Sequence, residues 1–573
     1  MNDKKRIMAA VCAAVVLLSS MTACTQTEIP DSSESETTTA STAEEETTIV
    51  SDNVPSHIVT QSDSTTSAEA VTESTDSTEA TTASTTETAV TEDSGLIVDD
   101  YTEDFNYDNL TPDDLYEMYG LSRSERSSFY TQICSECELP IISVSTEDEQ
   151  EVLSLDEYVN CIVEIMNCDA EYVMDATSAE IRVRGNASAY YGDVDQIRAN
   201  GAPYRIKFTK KQSVLGLNDG AKCRSWVLLK TYNYGVRDHL AFTLAAAINA
   251  GLYYVSDSTF VQVYINEEYM GIYLLCEQTQ ENENRVAITE AEEGYTGTDI
   301  GYLVELDNYS SGETWRFMLN YNNESITDVY GTSRVPKKYY YTVRNDLYSE
   351  EQLDFIERYF EVCYEVAMRA IKYGEYYRVD RVDDDFTLTL AQDEFESAFD
   401  CISQVLDIES FVDMYITYEI VNDQDVGGGS FFFAVDFSET SIYPVLTCVA
   451  PWDFSWAYGD YSSDADGGLY AAKFKDDYFV DNWGDRSNPW LILLYSADWF
   501  QELVSEKWQE RYSYILEALD EVTETVETYS DDFDKDGKSR TSSALATIRW
   551  TRNRVEYLNT LWDGDDFPDE YKS

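Results

Sequence analysis

Histidine is almost missing from this chain: its 573 residues include two, His57 and His239. A Ser-His-Asp triad would have to use His239, which sits in a helix-like apolar run, and a histidine-rich metal site cannot be built. Chemistry on this chain must run on carboxylates, lysine, arginine and a metal ion that such groups can hold. Basic residues are scarce too, with none between Arg6 and Arg123. The 39 Lys and Arg face 109 Asp and Glu, a net charge of −70. Such a polyanion repels nucleic acid and anionic membrane surfaces, which argues against both as partners. A disulfide scaffold is absent from the pattern as well. Of the eleven cysteines, nine lie scattered beyond Cys24. Cys134 and Cys137 form a lone CxxC with no second pair, a poor basis for a zinc site.

What is present divides into three parts. Lys4, Lys5 and Arg6 precede an apolar run at 8–18, and small residues then lead to Met21-Thr22-Ala23-Cys24. That is the pattern of a secretory signal over 1–24, too short for a stable membrane span. A cysteine directly after a small residue at the cleavage point resembles a bacterial lipobox. It predicts a lipid on Cys24 and an extracytoplasmic, membrane-anchored protein at the cell surface; simple secretion is the alternative. Residues 25–96 are Ser, Thr, Glu, Asp and Ala with hardly a large apolar side chain. They cannot bury enough surface to offset chain entropy, which predicts a disordered stalk. The remainder, 97–573, draws on 43% hydrophobic residues and 44 tyrosines across the chain, enough for a large core.

Within that part, 113–130 reads as one helix, and 139–146 and 170–175 as strands. Residues 179–186 and 204–209 alternate polar and apolar side chains, the latter placing Arg205 and Lys207 on one face. A short apolar strand at 226–230 precedes a helix at 237–250 with Gly251 as its stop. Residues 260–265 and 269–277 flank a turn and predict a hairpin. Residues 296–395 read as an irregular insertion. Asp532, Asp534 and Asp536 open like a calcium loop, but the twelfth position is Ser543 and no clear helix precedes it, so an acidic interhelical turn is the stronger reading. An amphipathic helix is expected at 544–562.

One stretch organises the rest. Asp425 lies in an acidic, glycine-rich turn; an aromatic strand at 430–435 and an apolar segment at 442–450 follow, delivering Asp453 in PWDFSWAYG. Two strands joined by a turn would bring both acids to one end of a hairpin, although 28 residues separate them (453 − 425). Gathered carboxylates can hold Mg²⁺, which prefers oxygen and bridges to phosphate. The alternative is two polar turn residues beside an ordinary hairpin.

The ordered series RGNAS (184–188), YRIKF, WVLLK, RDHLAF and FVQVYINEEYMGIYLLCE, then DIESFVDMYITYE, NDQDVGGGSFFF and PWDFSWAYG, resembles the bacterial spore-coat CotH kinase family over about 139–562. The resemblance implies an α+β, atypical protein-kinase-like fold of two lobes, β-rich over about 139–280 and mostly helical over 281–573. It implies Mg²⁺ and ATP as cofactors and phosphate transfer to Ser or Thr of a surface or secreted protein. In that frame Asp425 matches the catalytic aspartate and Asp453 the metal-binding one. Arg184 and Lys207 would reach phosphates, the helix of Arg237 would pack on the first sheet, and Glu277 would mark the hinge beside the adenine. Each has a plainer alternative: Lys207 as a solvent-facing strand residue, Arg184 as a turn anchor, Glu277 acting through its backbone. The family commonly shows WDFD or WDLN where this chain has Ser455, and Asn in some members where it has Ser430. Hydroxyls can ligate Mg²⁺ but less strongly, so a non-catalytic surface module binding a partner is the second reading.

Overall fold

The computed structural model describes residues 110–230, 236–307, 310–459, 465–475, 486–535 and 537–563. The signal-like start, Cys24, His57, the Ser/Thr-rich stretch and Asp536 lie outside the described residues.

Seven strands close into a barrel: β1 (Ile141–Thr146), β2 (Val159–Met166), β3 (Met174–Val183), β4 (Tyr204–Gln212), β5 (Cys223–Lys230), β6 (Ser258–Ile265) and β7 (Glu268–Glu277). Their order is β1-β2-β3-β4-β5-β7-β6, with β1 and β6 closing the ring as a parallel pair. The alternation of YRIKF decides the facing, because successive strand side chains point to opposite sides. Tyr204, Ile206 and Phe208 fill the interior with Trp226 and Tyr273, leaving Arg205 and Lys207 on the outer face. The strand expected at 170–175 is corrected: 170–172 turn, and β3 begins at Met174, where the apolar alternation starts.

The single helix expected at 113–130 is two, α1 (Pro112–Met118) and α2 (Arg123–Cys134). Gly120 takes φ +63°, which breaks the run, and Ser122 caps the second helix by accepting the Glu125 N–H at 3.4 Å. A buried Arg126–Glu164 pair at 2.9 Å, joined by the Tyr116 and Tyr130 hydroxyls, fixes these helices to β2. Helix α3 (Arg237–Asn249) ends where Ala250, one residue before the expected stop, turns left-handed at φ 55°. Leu240, Leu244 and Ile248 of α3 share one core with Phe260, Leu274 and Cys276 on the outer barrel face.

The insertion expected to be irregular is ordered and central. It contains β8 (Gly301–Leu306), β9 (Arg316–Leu319), the short β10 (Ile326–Thr327) and β11 (Ser333–Arg334), β12 (Tyr339–Val343), helix α4 (Glu350–Met368) and the hairpin β13 (Tyr377–Val382)–β14 (Asp385–Leu390). β8, β9 and β12 join β15 (Phe431–Asp436) and β16 (Thr447–Val449) in a five-stranded sheet, β16-β15-β8-β12-β9, in which β8 pairs with β12 on one side and β15 on the other, while β10–β11 and β13–β14 pair separately. Every residue of β8 is buried, so it shows no alternation to read. Further helices of this α+β fold include α5 (Ile408–Val421), α6 (Pro489–Tyr495), α7 (Asp498–Thr528) and α8 (Arg540–Trp562). Helix α8 packs where an amphipathic helix was expected, along α7 and α5.

Asp532 is spoken for. Its carboxylate accepts the Glu138 and Leu139 N–H groups at 2.8 and 2.7 Å and the Gln262 side-chain amide at 2.8 Å. It ties the end of α7 to the barrel, as a structural interhelical turn.

Candidate functional site

The hairpin expected around the two acids forms: β15 and β16 pair antiparallel through Phe432↔Val449, Phe433↔Cys448 and Ala434↔Thr447. The chain entering β15 carries Asp425 and the chain leaving β16 carries Asp453, so both sit at one end. Each lies within the field of a third acid, Asp423.

The Asp425 turn is built by close approach. Helix α5 ends on Asn422 at φ 52°, a left-handed cap that asparagine tolerates. Gly428 donates its N–H to the Asp425 carbonyl at 2.7 Å. A Cβ on Gly427 would run into the Ser487 carbonyl, so only glycine lets the two backbones touch. Asn488 holds the contact by donating to the Val426 carbonyl at 3.0 Å. Arg486, just before it, pairs with the Asp425 carboxylate and lies 4.6 Å from the Trp456 ring centroid. Burial pushes the Asp425 carboxyl up to about 6; Arg486 opposes this and Asp453 adds to it.

Asp453 stands on an aromatic platform. Trp452 stacks on Phe242 with centroids 5.5 Å apart, and Phe454 meets the same ring edge-on. With these neighbours buried, the Asp453 side chain is left exposed. Asp453 has φ 61°, and Ala450 and Tyr458 nearby have φ 49° and 62°. Three left-handed non-glycine residues so close together store local strain, which gathers at functional sites. The start of α3 clasps this segment. Asp238 accepts the Phe454 N–H at 2.9 Å, Arg237 donates to the Ser455 carbonyl at 2.6 Å, and the Tyr458 hydroxyl donates to the Arg237 carbonyl at 2.8 Å. Burial, then the charge of Asp453, pushes Asp238 up to about 6.

Of the residues marked in the sequence, Asp425, Asp453, Ser455, Arg237 and Arg184 come together. The Arg184 guanidinium lies 5.7 Å from the Trp452 ring centroid and lowers the proton affinity of Asp238. Ser455 donates its hydroxyl to Asp453 Oδ1 at 3.0 Å. Ser430, at φ 57°, precedes β15 and donates its backbone N–H to Glu305 Oε1 at 2.9 Å. Lys207 is buried on the outer barrel face, 3.9 Å from Glu180, which sets aside the solvent-facing alternative. Glu277 is fully buried in an ion pair with Arg285 at 3.1 Å, and its backbone N–H and carbonyl already bond to Asp257 and Ser256. It buttresses the barrel.

Asp238, Asp423, Lys475 and Arg486 escaped sequence reading. Lys475 is buried, its Nζ 3.2 Å from the Asp423 carbonyl and 4.5 Å from the Tyr470 ring centroid. Burial drives the Asp423 carboxyl up and the Lys475 ammonium down, while their mutual attraction opposes both. Spacing along the chain gives no sign of these neighbours, since Asp423 and Lys475 meet across 52 residues.

The donor set suits one divalent cation. Mg²⁺ is usually held by one or two carboxylates, with water and phosphate completing its shell. Asp453 is exposed, and its charge adds to the burial that pushes Asp425 and Asp238 up. Among the described residues no three His, Cys, Asp or Glu side chains surround a common cation position.

No curated protein matches the chain. Residues 181–558, well over half of it, match the family model described as CotH kinase protein, which takes in β4 to β7, the acid-bearing hairpin and most of α8. The chain belongs to the CotH kinase family.

Proposed function

We propose that the protein is an atypical protein kinase that uses Mg²⁺ and ATP to phosphorylate Ser or Thr hydroxyls of a surface or secreted protein. The observation that carries this reading is the pair of carboxylates, Asp425 and Asp453, at one hairpin end beside Arg184 and Arg237. Asp453, with Ser455, would hold the cation, which when bound neutralises phosphate charge. Arg184 and Arg237 add positive charge on the barrel side. Asp425, pushed up to about 6, is ionised at neutral pH yet more basic than a free aspartate, which suits it to accept a hydroxyl proton. A second reading, a non-catalytic binding module, draws on Ser455, whose hydroxyl is already given to Asp453.

Calorimetry with Mg²⁺-ATP separates the two. In the kinase reading Asp453→Ala abolishes Mg²⁺-dependent binding at unchanged melting temperature, because an exposed carboxylate adds little to packing. Ser455→Asp restores a second charged ligand and tightens binding. Absence of any heat for the wild type at millimolar nucleotide would leave only the binding module.

We place the kinase outside the cell, tethered by a lipid on Cys24, which lies outside the described residues. Among the described residues no helix is long and apolar enough to cross a membrane. Cys24→Ala should release the protein into the medium or leave it unprocessed. Unchanged membrane association with no acyl mass on the wild type would refute the tether.

A further inference from the structure

Granted the phosphotransferase reading, we propose that Arg486 is a phosphate-binding residue that trades partners: it holds Asp425 at rest and passes to the terminal phosphoryl group when nucleoside triphosphate binds. Its guanidinium is the cation nearest the base, paired to Asp425 Oδ1 with only 10% of the side chain exposed. A phosphoryl group that bridges a cation on Asp453 and a hydroxyl at Asp425 has to lie between those two carboxylates. Arg486 is paired to Asp425 and lies over the ring of Trp456, three residues past Asp453, which keeps its side chain within this cluster. Its backbone cannot withdraw, because the Arg486 and Ser487 carbonyls press on Gly427, and the Ser487 hydroxyl accepts the Lys475 N–H at 2.7 Å. Only the side chain is left to move.

The exchange is favourable on charge grounds. A guanidinium this buried needs an anion, and a phosphoryl group offers more charge and a bidentate fit to the planar fork. Asp425 simultaneously loses the neighbour that most weakens it as a base. Triphosphate binding would thus strengthen the base at the moment it is needed, whereas a diphosphate, lacking the terminal group, would leave Arg486 on Asp425.

Affinities of the full chain for Mg²⁺-ATP and Mg²⁺-ADP, measured by calorimetry, test this. Arg486→Met should lose roughly ten- to a hundredfold in ATP affinity, the worth of a charged hydrogen-bond pair, and keep its ADP affinity. Asp425→Asn, nearly isosteric, should bind ATP more tightly than the wild type and ADP equally, because nothing then competes for Arg486. If both variants shift ATP and ADP together, or shift neither, the exchange is wrong while the kinase reading stands. A wild type that binds neither nucleotide overturns both. Should Arg486→Met fail to fold, the Asp425→Asn comparison still decides.

Discussion

Asp425→Asn is expected to slow phosphoryl transfer by about 10²- to 10⁴-fold, the usual worth of a positioned general base, while nucleotide still binds. Asparagine keeps the shape and the hydrogen-bonding oxygen but cannot take up the hydroxyl proton. The measurement is ADP release from Mg²⁺-ATP under saturating nucleotide, across pH. Burial, opposed by Arg486 and reinforced by Asp453, sets the Asp425 carboxyl at about 6. Below its own pKa the wild-type base carries a proton, so its rate should fall as pH drops and level off at higher pH, with the limb at about 6 if Arg486 stays on Asp425 and higher if bound triphosphate draws Arg486 away. The residual rate of Asp425→Asn should lack this limb. A variant retaining more than about a tenth of the wild-type rate would remove Asp425 from the base role.

The largest structural effect should follow Arg554→Met. Arg554 on α8 and Glu419 on α5 form an ion pair with side-chain exposures of 1% and 0%. Arg554 also donates to the Glu419, Ala465 and Gly468 carbonyls, at 3.1, 3.0 and 2.8 Å. Glu419 in turn accepts the Tyr470 and Ala471 N–H groups at 2.5 and 2.8 Å. Removing the guanidinium strands a buried carboxylate, which costs about 3–5 kcal/mol. Glu419→Gln in the same chain should recover part of that loss, since the amide carries no charge and still accepts. Urea unfolding measures both. A loss under about 1 kcal/mol would mean that water or a shifted side chain replaces the pair. Because the clamped segment leads to Lys475, the variant should also loosen the support beneath Asp423.

Much of the barrel was legible because half-buried strands advertise their two faces. Residues 260–265 and 269–277 are apolar runs on either side of a turn at Asn266-Glu267, and β6 and β7 follow them. The acid hairpin was legible as an aromatic run and an apolar segment, with the family resemblance naming which acids matter. β8 was not, because GYLVEL is covered on both faces and its partners, β12 and β15, lie far along the chain. Glu277 was read from its position at a strand end, which says nothing of Arg285 beside it. Ser430 was read as a metal ligand from its place in the motif, which gives no sign of the left-handed turn that aims its backbone N–H at Glu305. Arg486 and Lys475 carry no local signature at all: an isolated cation among acidic residues reads as surface, and only folding buries it.

The parallel seam of the barrel bears on where this protein can be cut. Ile141 of β1 meets Gln262 of β6, 121 residues later (262 − 141). The ring therefore cannot close during synthesis until β6 has emerged, and loop closure over that distance makes it a late event. The family match starts at residue 181, inside β3. A fragment begun there would lack β1 and β2 and keep three residues of β3, exposing the unpaired edges of β4 and β6. Open apolar edges are templates for intermolecular pairing and aggregation. The autonomous unit is thus longer than the stretch that matches the family model, and it begins before Glu138, whose N–H is held by Asp532 from the far end of the chain.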